Sequence, residues 1–289
     1  MGLRLKFNLV LLTVFVVGLG VTGYVSYELL HRNARDEVLR NAGVMMEASL
    51  SMRSYTVGQV RPNLAVDPDK FLPQSVPAFG ATEIMTLLRK KYPDYAYKEA
   101  ALNPTNPRNR AVEWETDIVN SFRANPTQGE ISGTRETPTG RSLYLARPFQ
   151  IKDPACLSCH TNADMAPVAM VKIYGPNNGF GWQLNEVIGA QIVSVPMDLP
   201  IRNANHAFVT FMSSLTVVFA VLFVILNAML SAMIVQPITQ LSRAADQISK
   251  GRLDAAEFKS TGKDEVSQLG QAFNRMRRSL EKAISLIEK

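Results

Sequence analysis

Two long stretches almost without charged side chains constrain the fold of this chain more than any other sequence feature. The first occupies residues 8–30, with one charge at Glu28, and the second occupies residues 207–235. An α-helix needs about 20 apolar residues to cross the hydrocarbon core of a bilayer, and both stretches are long enough. We therefore predict two transmembrane helices rather than a cleaved signal peptide or a buried core helix.

Charges beside the two predicted spans orient them. Arg4 and Lys6 precede the first span, and Arg243, Lys250 and Arg252 follow the second. Because cytoplasmic flanks carry an excess of Lys and Arg, both ends are predicted to lie in the cytoplasm, with the spans in a bacterial inner membrane and its lipid. The predicted order is a cytoplasmic N-terminus (1–7), a span (8–30), a periplasmic domain (31–206), a second span (207–235) and a cytoplasmic module (236–289).

The predicted periplasmic segment is long enough for a domain with its own core. Helical patterns come first, at residues 33–60, 81–91 and 108–123. Strand-like runs follow, at residues 142–151, 169–174 and 187–195. Helices followed by several strands predict an α+β fold with an antiparallel sheet.

The net charge of +6 comes from scattered residues rather than from a block of like charges. A basic balance can indicate nucleic acid or an anionic membrane surface. Because the positive charges form no cluster, we predict no nucleic-acid partner.

The most informative motif is C-x-x-C-H, formed by Cys156, Leu157, Ser158, Cys159 and His160. This pattern is typical of c-type haem attachment. Two thiols must reach two vinyl groups of one porphyrin, and the two intervening residues supply the turn between them. The adjacent imidazole is then available as an axial ligand of the iron. The motif therefore predicts one covalent haem c, with Cys156 and Cys159 as thioether links and His160 as iron ligand.

Two other interpretations of the motif stay open at this point. The cysteines could form a disulfide or a redox pair. They could also bind zinc, although a structural zinc site needs four ligands and the chain has two cysteines and three histidines. The other histidines, His31 and His206, lie at the predicted membrane edges. The predicted oxidising compartment agrees with both haem attachment and a disulfide.

The motif leaves the second axial ligand of the iron undetermined. A methionine ligand would raise the reduction potential, although methionine also fills irregular gaps in protein cores. An open or water-bound position is an equal alternative, and it would admit a small gas ligand. The methionine candidates are Met45, Met46, Met52, Met165 and Met170.

Several stretches together resemble a known family, the bacterial periplasmic c-type haem-binding sensor domains. They are SMRSYTVGQVRPNL, ALNPTNPRNRAVEWE, ARPFQIKDPACLSCH, YGPNNGFGW and VIGAQIVSVP. The resemblance covers roughly residues 35–196 and implies a PAS-like fold with haem held by Cys156, Cys159 and His160. Arg53, Tyr55 and the segment 103–110 also match family motifs. Roles for them near the haem and roles in packing or at the surface are both open.

The last part of the chain contains two short heptad patterns with apolar residues at a and d positions. The first comprises Ile238, Leu241, Ala245 and Ile248, and the second comprises Val266, Leu269, Phe273, Met276, Leu280, Ala283 and Ile287. Together with Pro237, Gly251, Leu253 and the stretch DEV…LGQAFNRM, they resemble a HAMP domain. The resemblance implies a homodimeric four-helix bundle that relays signals between two states.

These features predict a two-span sensor whose periplasmic haem responds to redox state or a small gas and acts on HAMP. The sequence contains no P-loop, G-x-S-x-G or H-E-x-x-H motif, so we expect no enzymatic activity. A separate cytoplasmic protein, such as a kinase, cyclase or receptor, is expected to read the HAMP state. The alternative function is a membrane-anchored cytochrome for electron transfer. The stimulus, the reduction potential and the output partner stay open.

Overall fold

A computed structural model of the chain describes residues 2–64, 70–252, 257–258 and 262–287. It separates into two compact units, one formed by Met1–Tyr27 with Ala207–Lys289 and the other by Glu28–His206. Leu253, part of the predicted HAMP connector, lies outside the described residues.

The unit Glu28–His206 contains helices and one antiparallel sheet, which confirms the predicted α+β class. Its helices are the end of α1 (Leu3–Tyr55), α2 (Arg61–Asn63), α3 (Pro77–Arg89), α4 (Glu113–Ala124), α5 (Leu157–His160), α6 (Val168–Tyr174) and the start of α7 (Asp198–Leu230). Its strands are β1 (Ala96–Ala101), β2 (Ile131–Thr137), β3 (Gly140–Gln150) and β4 (Val187–Pro196).

The four strands pair in the order β1-β4-β3-β2, and every neighbouring pair is antiparallel. Strand β4 is central and almost wholly buried, as its mostly apolar sequence predicts. Strand β2 lies at an edge and alternates between half-buried and exposed side chains. Hence the sheet has two covered faces at its centre and a more polar edge at β2.

Alternate side chains of β4 enter two separate hydrophobic clusters, because successive residues of a strand point to opposite faces. Val193 packs with Val38 and Met46 of α1 in one cluster. Ile192 packs with Phe122 of α4 in the other cluster. Full burial of one such side chain stabilises the fold by about 1.5–3 kcal/mol. The sheet is therefore held between α1 with α3 on one face and α4 on the other.

One predicted strand, 169–174, is wrong, because these residues lie in helix α6. Short apolar runs fit a strand or a buried helix equally well by periodicity. The flanking residues decide the outcome, since Pro167 precedes the helix and Gly175 follows it with a positive φ of 82°. Proline suits a helix start, and glycine suits its end.

Two π-helical turns interrupt the long helices, each shortly before a proline. Thr56–Val60 follows α1 and precedes Pro62, whereas Ser231–Val235 follows α7 and precedes Pro237. Proline donates no backbone hydrogen bond, and its ring clashes with the carbonyl group four residues earlier. A widened turn accommodates that clash. Consequently the first helix ends only at Asn63, slightly beyond the predicted stop at Arg61 and Pro62.

The other unit contains the start of α1, most of α7, α8 (Gln236–Ser249) and α9 (Glu265–Ile287). Within it, the ring of Phe15 stacks on Phe219 at 4.9 Å, and Tyr27 meets Phe208 edge-on at 5.6 Å. Two helices of the described chain are long and apolar enough to cross a membrane. Helix α1 extends beyond residues 8–30 at both ends, and α7 begins before residue 207. Neither helix is interrupted where a predicted span meets the domain, so the boundaries of the spans stay predictions.

Candidate functional site

A cavity of about 1150 Å³ lies in the unit Glu28–His206. Small-molecule pockets measure about 300–1,000 Å³, so this cavity has room for a large ligand. Its wall includes all three residues of the predicted haem motif, Cys156, Cys159 and His160. The residues that the motif predicts to act together therefore share one wall.

A short helical segment presents the motif to the cavity. Asp153 starts a 3₁₀ turn (Pro154–Cys156) by accepting a hydrogen bond from the backbone N–H of Ala155 at 2.8 Å, and α5 continues from it. In a helix, residues three and four positions apart occupy one face. Cys156, Cys159 and His160 have this spacing, which explains why all three reach the same cavity.

The two cysteines are free thiols and half-buried. Burial raises the pKa of the Cys156 thiol, and the nearby Asp153 carboxylate adds to the shift, whereas Arg53 and Arg61 lower it. A thiol held in its neutral form is a poor zinc ligand and a slow redox nucleophile. Within the described residues, no group of three or more His, Cys, Asp or Glu side chains could hold a metal ion. The described residues therefore offer no complete ligand set for a structural zinc ion.

The imidazole of His160 has three ring contacts, of which the longest is from Nδ1 to the Thr105 hydroxyl at 3.5 Å. Its Nδ1 lies 2.7 Å from the carbonyl oxygen of Gly179, and its ring stacks on Trp182 at 3.9 Å and 16°. Burial lowers the pKa of His160, partly offset by the bond to Gly179. Because a carbonyl oxygen only accepts, Nδ1 carries the proton that is donated to Gly179. In the neutral ring, which the lowered pKa favours, the Nε2 lone pair is left for a ligand. Metal-binding histidines are fixed in this way.

An ion pair between a half-buried arginine and a buried glutamate forms another part of the wall. Arg53 of α1 donates to Glu99 of β1 at 2.5 Å, and the Tyr97 hydroxyl donates to the same carboxylate at 2.8 Å. Glu99 is 2% exposed, and the Arg53 guanidinium also lies 4.7 Å from the Phe149 ring centre. Burial and the Glu99 charge both raise the pKa of Tyr97, so its hydroxyl stays a donor.

The two family-matching residues of α1 have different places. Arg53 lines the cavity, whereas Tyr55 is 55% exposed and does not line it. Trp182, Gly179 and Glu99 are members of the site that were not predicted from the sequence. Trp182 and Gly179 belong to the quoted stretch YGPNNGFGW, whose glycine and aromatic content was the available signal.

The structure separates the five methionine candidates for the second axial ligand. Met165 and Met170 line the cavity, Met165 being 62% exposed and Met170 being 3% exposed. Met45, Met46 and Met52 belong to the hydrophobic cluster between α1 and the sheet, and they do not line the cavity. Only the pair after the motif therefore shares a wall with His160.

Fold and site together define a class of protein, namely an α+β domain that has a C-x-x-C-H cavity, lies between two candidate membrane helices in the sequence and is followed by two further helices. Residues 31–196 match the Tll0287-like family, described as Tll0287, and residues 229–282 match the HAMP domain. The first match spans more than half of the 289 residues, and the chain belongs to the Tll0287-like family. The predicted resemblance, a haem-protein domain followed by HAMP, is confirmed.

One solved structure is similar in part, the crystal structure of the cyanobacterial haem protein Tll0287. It has a TM-score of 0.45 and 15% sequence identity, and the alignment covers 55% of this chain and 95% of that chain. A search of curated proteins found no match.

Proposed function

We propose that the chain is a two-span inner-membrane sensor that carries one covalent haem c in a periplasmic domain and signals through its HAMP domain. The observation that carries this proposal is the shared cavity wall of Cys156, Cys159 and His160, with the Nε2 lone pair of His160 available. The family match supports haem binding, and the HAMP match supports signal relay.

Each residue of the wall has a proposed task toward the haem. Cys156 and Cys159 would hold the porphyrin through thioether bonds, and His160 would bind the iron. Trp182 supports the imidazole ring from one side. A bound haem supplies an iron whose oxidation state or gas ligand changes with its surroundings.

Two backbone connections offer routes from the cavity to the candidate membrane helices. Arg53 lies on α1, the helix that also contains the first apolar stretch. Strand β4 leads through Met197 to Asp198, the first residue of α7, and the Asp198 carboxylate accepts a hydrogen bond from the Arg141 backbone at 3.2 Å. A change in the packing of the cavity wall would therefore act on both helices, and a bistable HAMP bundle would convert a small movement into a switch.

We propose no catalytic step for this chain. A separate cytoplasmic protein would read the state of a homodimeric HAMP bundle. The rival function, membrane-anchored electron transfer, needs the same haem but no coupling to HAMP, so coupling decides between them.

The experiment uses full-length protein from a host that matures c-type cytochromes, with Leu280→Cys added as a cross-linking position in α9. We expect a Soret band that is lost in a Cys156→Ser, Cys159→Ser variant and kept in a Ser158→Ala control. We also expect the extent of Leu280→Cys cross-linking by a bismaleimide to differ between oxidised haem and haem that is reduced or reduced with carbon monoxide bound. Absence of the Soret band would contradict haem binding, whereas cross-linking that is unchanged by both reduction and carbon monoxide would contradict the sensor and favour the electron carrier.

A further inference from the structure

We propose that Asn103 is a positioning residue, which fixes the loop 178–181 so that the Gly179 carbonyl receives the Nδ1 proton of His160. Through this bond Asn103 would set how strongly Nε2 donates to the iron. The inference rests on the proposed haem site, and it assigns a purpose to the family-matching segment 103–110.

The loop and the residue after it, Trp182, make three hydrogen bonds to His160 and Thr161. The Gly179 carbonyl oxygen lies 2.7 Å from Nδ1 of His160. The backbone N–H groups of Gly181 and Trp182 donate to the carbonyl oxygens of Thr161 and His160 at 3.0 and 3.3 Å. The position of the imidazole therefore depends on the position of this loop.

Asn103 forms a hydrogen bond to the loop on each side of the Gly179 carbonyl. Its Oδ1 accepts from the Gly179 N–H at 3.2 Å, and its Nδ2 donates to the Phe180 carbonyl at 3.1 Å. The peptide group between these two points contains the Gly179 carbonyl that faces His160. One side-chain amide, with one acceptor and two donors, thus fixes the orientation of that peptide group.

The neighbouring residues of the segment leave the loop little freedom. Gly179 has a φ of +81°, and a Cβ atom there would lie 2.0 Å from Oγ1 of Thr105. Arg110 donates to the Asn178 side chain at 2.9 Å. Because only glycine fits this close approach and this backbone conformation, the loop is built to sit against residues 103–110.

The hydrogen bond at Nδ1 controls the basicity of Nε2, since a partner for the outer N–H raises ligand basicity and orients the ring. A basic imidazole stabilises the ferric state. When Asn103 is replaced, the carbonyl loses its fixed direction and the Nδ1 bond weakens. We expect the reduction equilibrium to shift about tenfold toward the ferrous state, which corresponds to about 59 mV for one electron.

The test compares Asn103→Ala and Asn103→Leu with wild-type full-length protein in detergent. Both replacements are uncharged, so neither adds an electrostatic effect on the iron, and leucine retains most of the volume in case alanine impairs folding. The control is Asn120→Ala, because Asn120 is exposed on α4. Potentials are measured by optical redox titration, after haem content has been shown to be equal. A positive shift in both Asn103 variants but not in the control is expected, and unshifted potentials would overturn the inference.

A second measurement separates this inference from the proposed function. In a haem-free Cys156→Ser, Cys159→Ser background, nitrogen NMR of His160 reports which ring nitrogen carries the proton. We expect the Nδ1–H tautomer when Asn103 is present and a mixture of tautomers in Asn103→Ala. Wild-type protein without haem would refute the proposed function alone, whereas an unchanged tautomer would refute the role of Asn103 alone.

Discussion

The α+β domain and the HAMP helices differ in how far they bury their apolar side chains. In the domain, Phe122, Leu143 and Val193 are at most 1% exposed. In helix α9, Leu269, Met276 and Leu280 are 54%, 51% and 41% exposed, although they occupy a and d positions. One chain therefore completes the first core but not the second. In the proposed homodimer a second copy would cover the α9 residues, as a heptad pattern requires.

The same contrast extends to their proposed tasks. The domain places its ligand-binding residues on a packed frame, and a rigid frame keeps a binding site in one geometry. In a bundle assembled from two chains, the packing at the interface between the chains can change. Interfaces between helices are where two-state changes occur. The complete core of the α+β domain thus suits a sensor of fixed geometry, and the incomplete core of the HAMP helices suits a relay that moves.

The largest expected effect distinguishes the two cores directly. Phe122→Ala removes a fully buried ring of α4, and such a replacement costs about 3–5 kcal/mol of unfolding free energy. The measurement is denaturant unfolding of full-length protein in detergent. Because this core is complete within one chain, we expect the decrease in unfolding free energy to be the same at every protein concentration.

Leu280→Ala is the matched replacement in α9. It should leave unfolding of the domain unchanged and weaken association of two chains, measured by cross-linking at increasing dilution. A concentration-dependent loss for Phe122→Ala, or unchanged association for Leu280→Ala, would contradict the comparison.

A smaller effect is expected at Asn274, the buried polar residue of α9. Its amide accepts from the Phe258 N–H at 3.1 Å and donates to the Phe258 carbonyl at 2.8 Å. Asn274→Ala leaves both backbone groups of the half-buried Phe258 without this partner, and the loss of a hydrogen bond costs about 0.5–1.5 kcal/mol. We expect faster hydrogen exchange at Phe258, measured by mass spectrometry of the intact chain.

The control for Asn274→Ala is a replacement in the α+β domain. Asn120→Ala in the domain removes an exposed amide and should leave exchange at Phe258 unchanged. Equal exchange in Asn274→Ala and wild type would show that Phe258 is held by the packing of its ring against Gly270 rather than by the amide.

Periodicity and spacing explain how much of this molecule is predictable from its sequence. The two apolar stretches, the antiparallel α+β class and strand β4 follow from local patterns, which the structure reproduces. The motif residues reach one cavity because their spacing matches one helical face. Strand β1 was not predicted, because its sequence AYKEAA has no strand pattern. Lysine, glutamate and alanine are more common in helices.

Contacts between distant segments are the part that no local pattern predicts. Glu99 and Arg53 are 46 residues apart and Asn103 and Gly179 are 76 residues apart, so both contacts depend on the completed fold. The five methionines illustrate the same limit. Their residue type made them equal candidates, and only tertiary packing separates Met165 and Met170 from the three in the hydrophobic cluster.

The smallest expected effect concerns how the helices begin in the two regions. In the domain, the buried Glu115 carboxylate accepts from the Val112 N–H at the start of α4, at 2.9 Å. At the start of α9, the exposed Asp264 accepts from the Ser267 N–H at 2.7 Å. The side-chain and backbone hydrogen bonds to Ser267 lower the pKa of Asp264 from its ordinary value of 3.8.

A group whose pKa is lowered by folding stabilises the fold above its unfolded pKa and loses that contribution as the pH falls through its folded pKa. The start of α9 should therefore fray on acidification below 3.8, measured by hydrogen exchange of residues 265–268. Asp264→Asn keeps a capping oxygen without a titrating charge, so its exchange should lack this pH dependence. Equal pH dependence in both proteins would mean that another group controls the first turn, and the contrast between a buried and an exposed helix start would lose its basis.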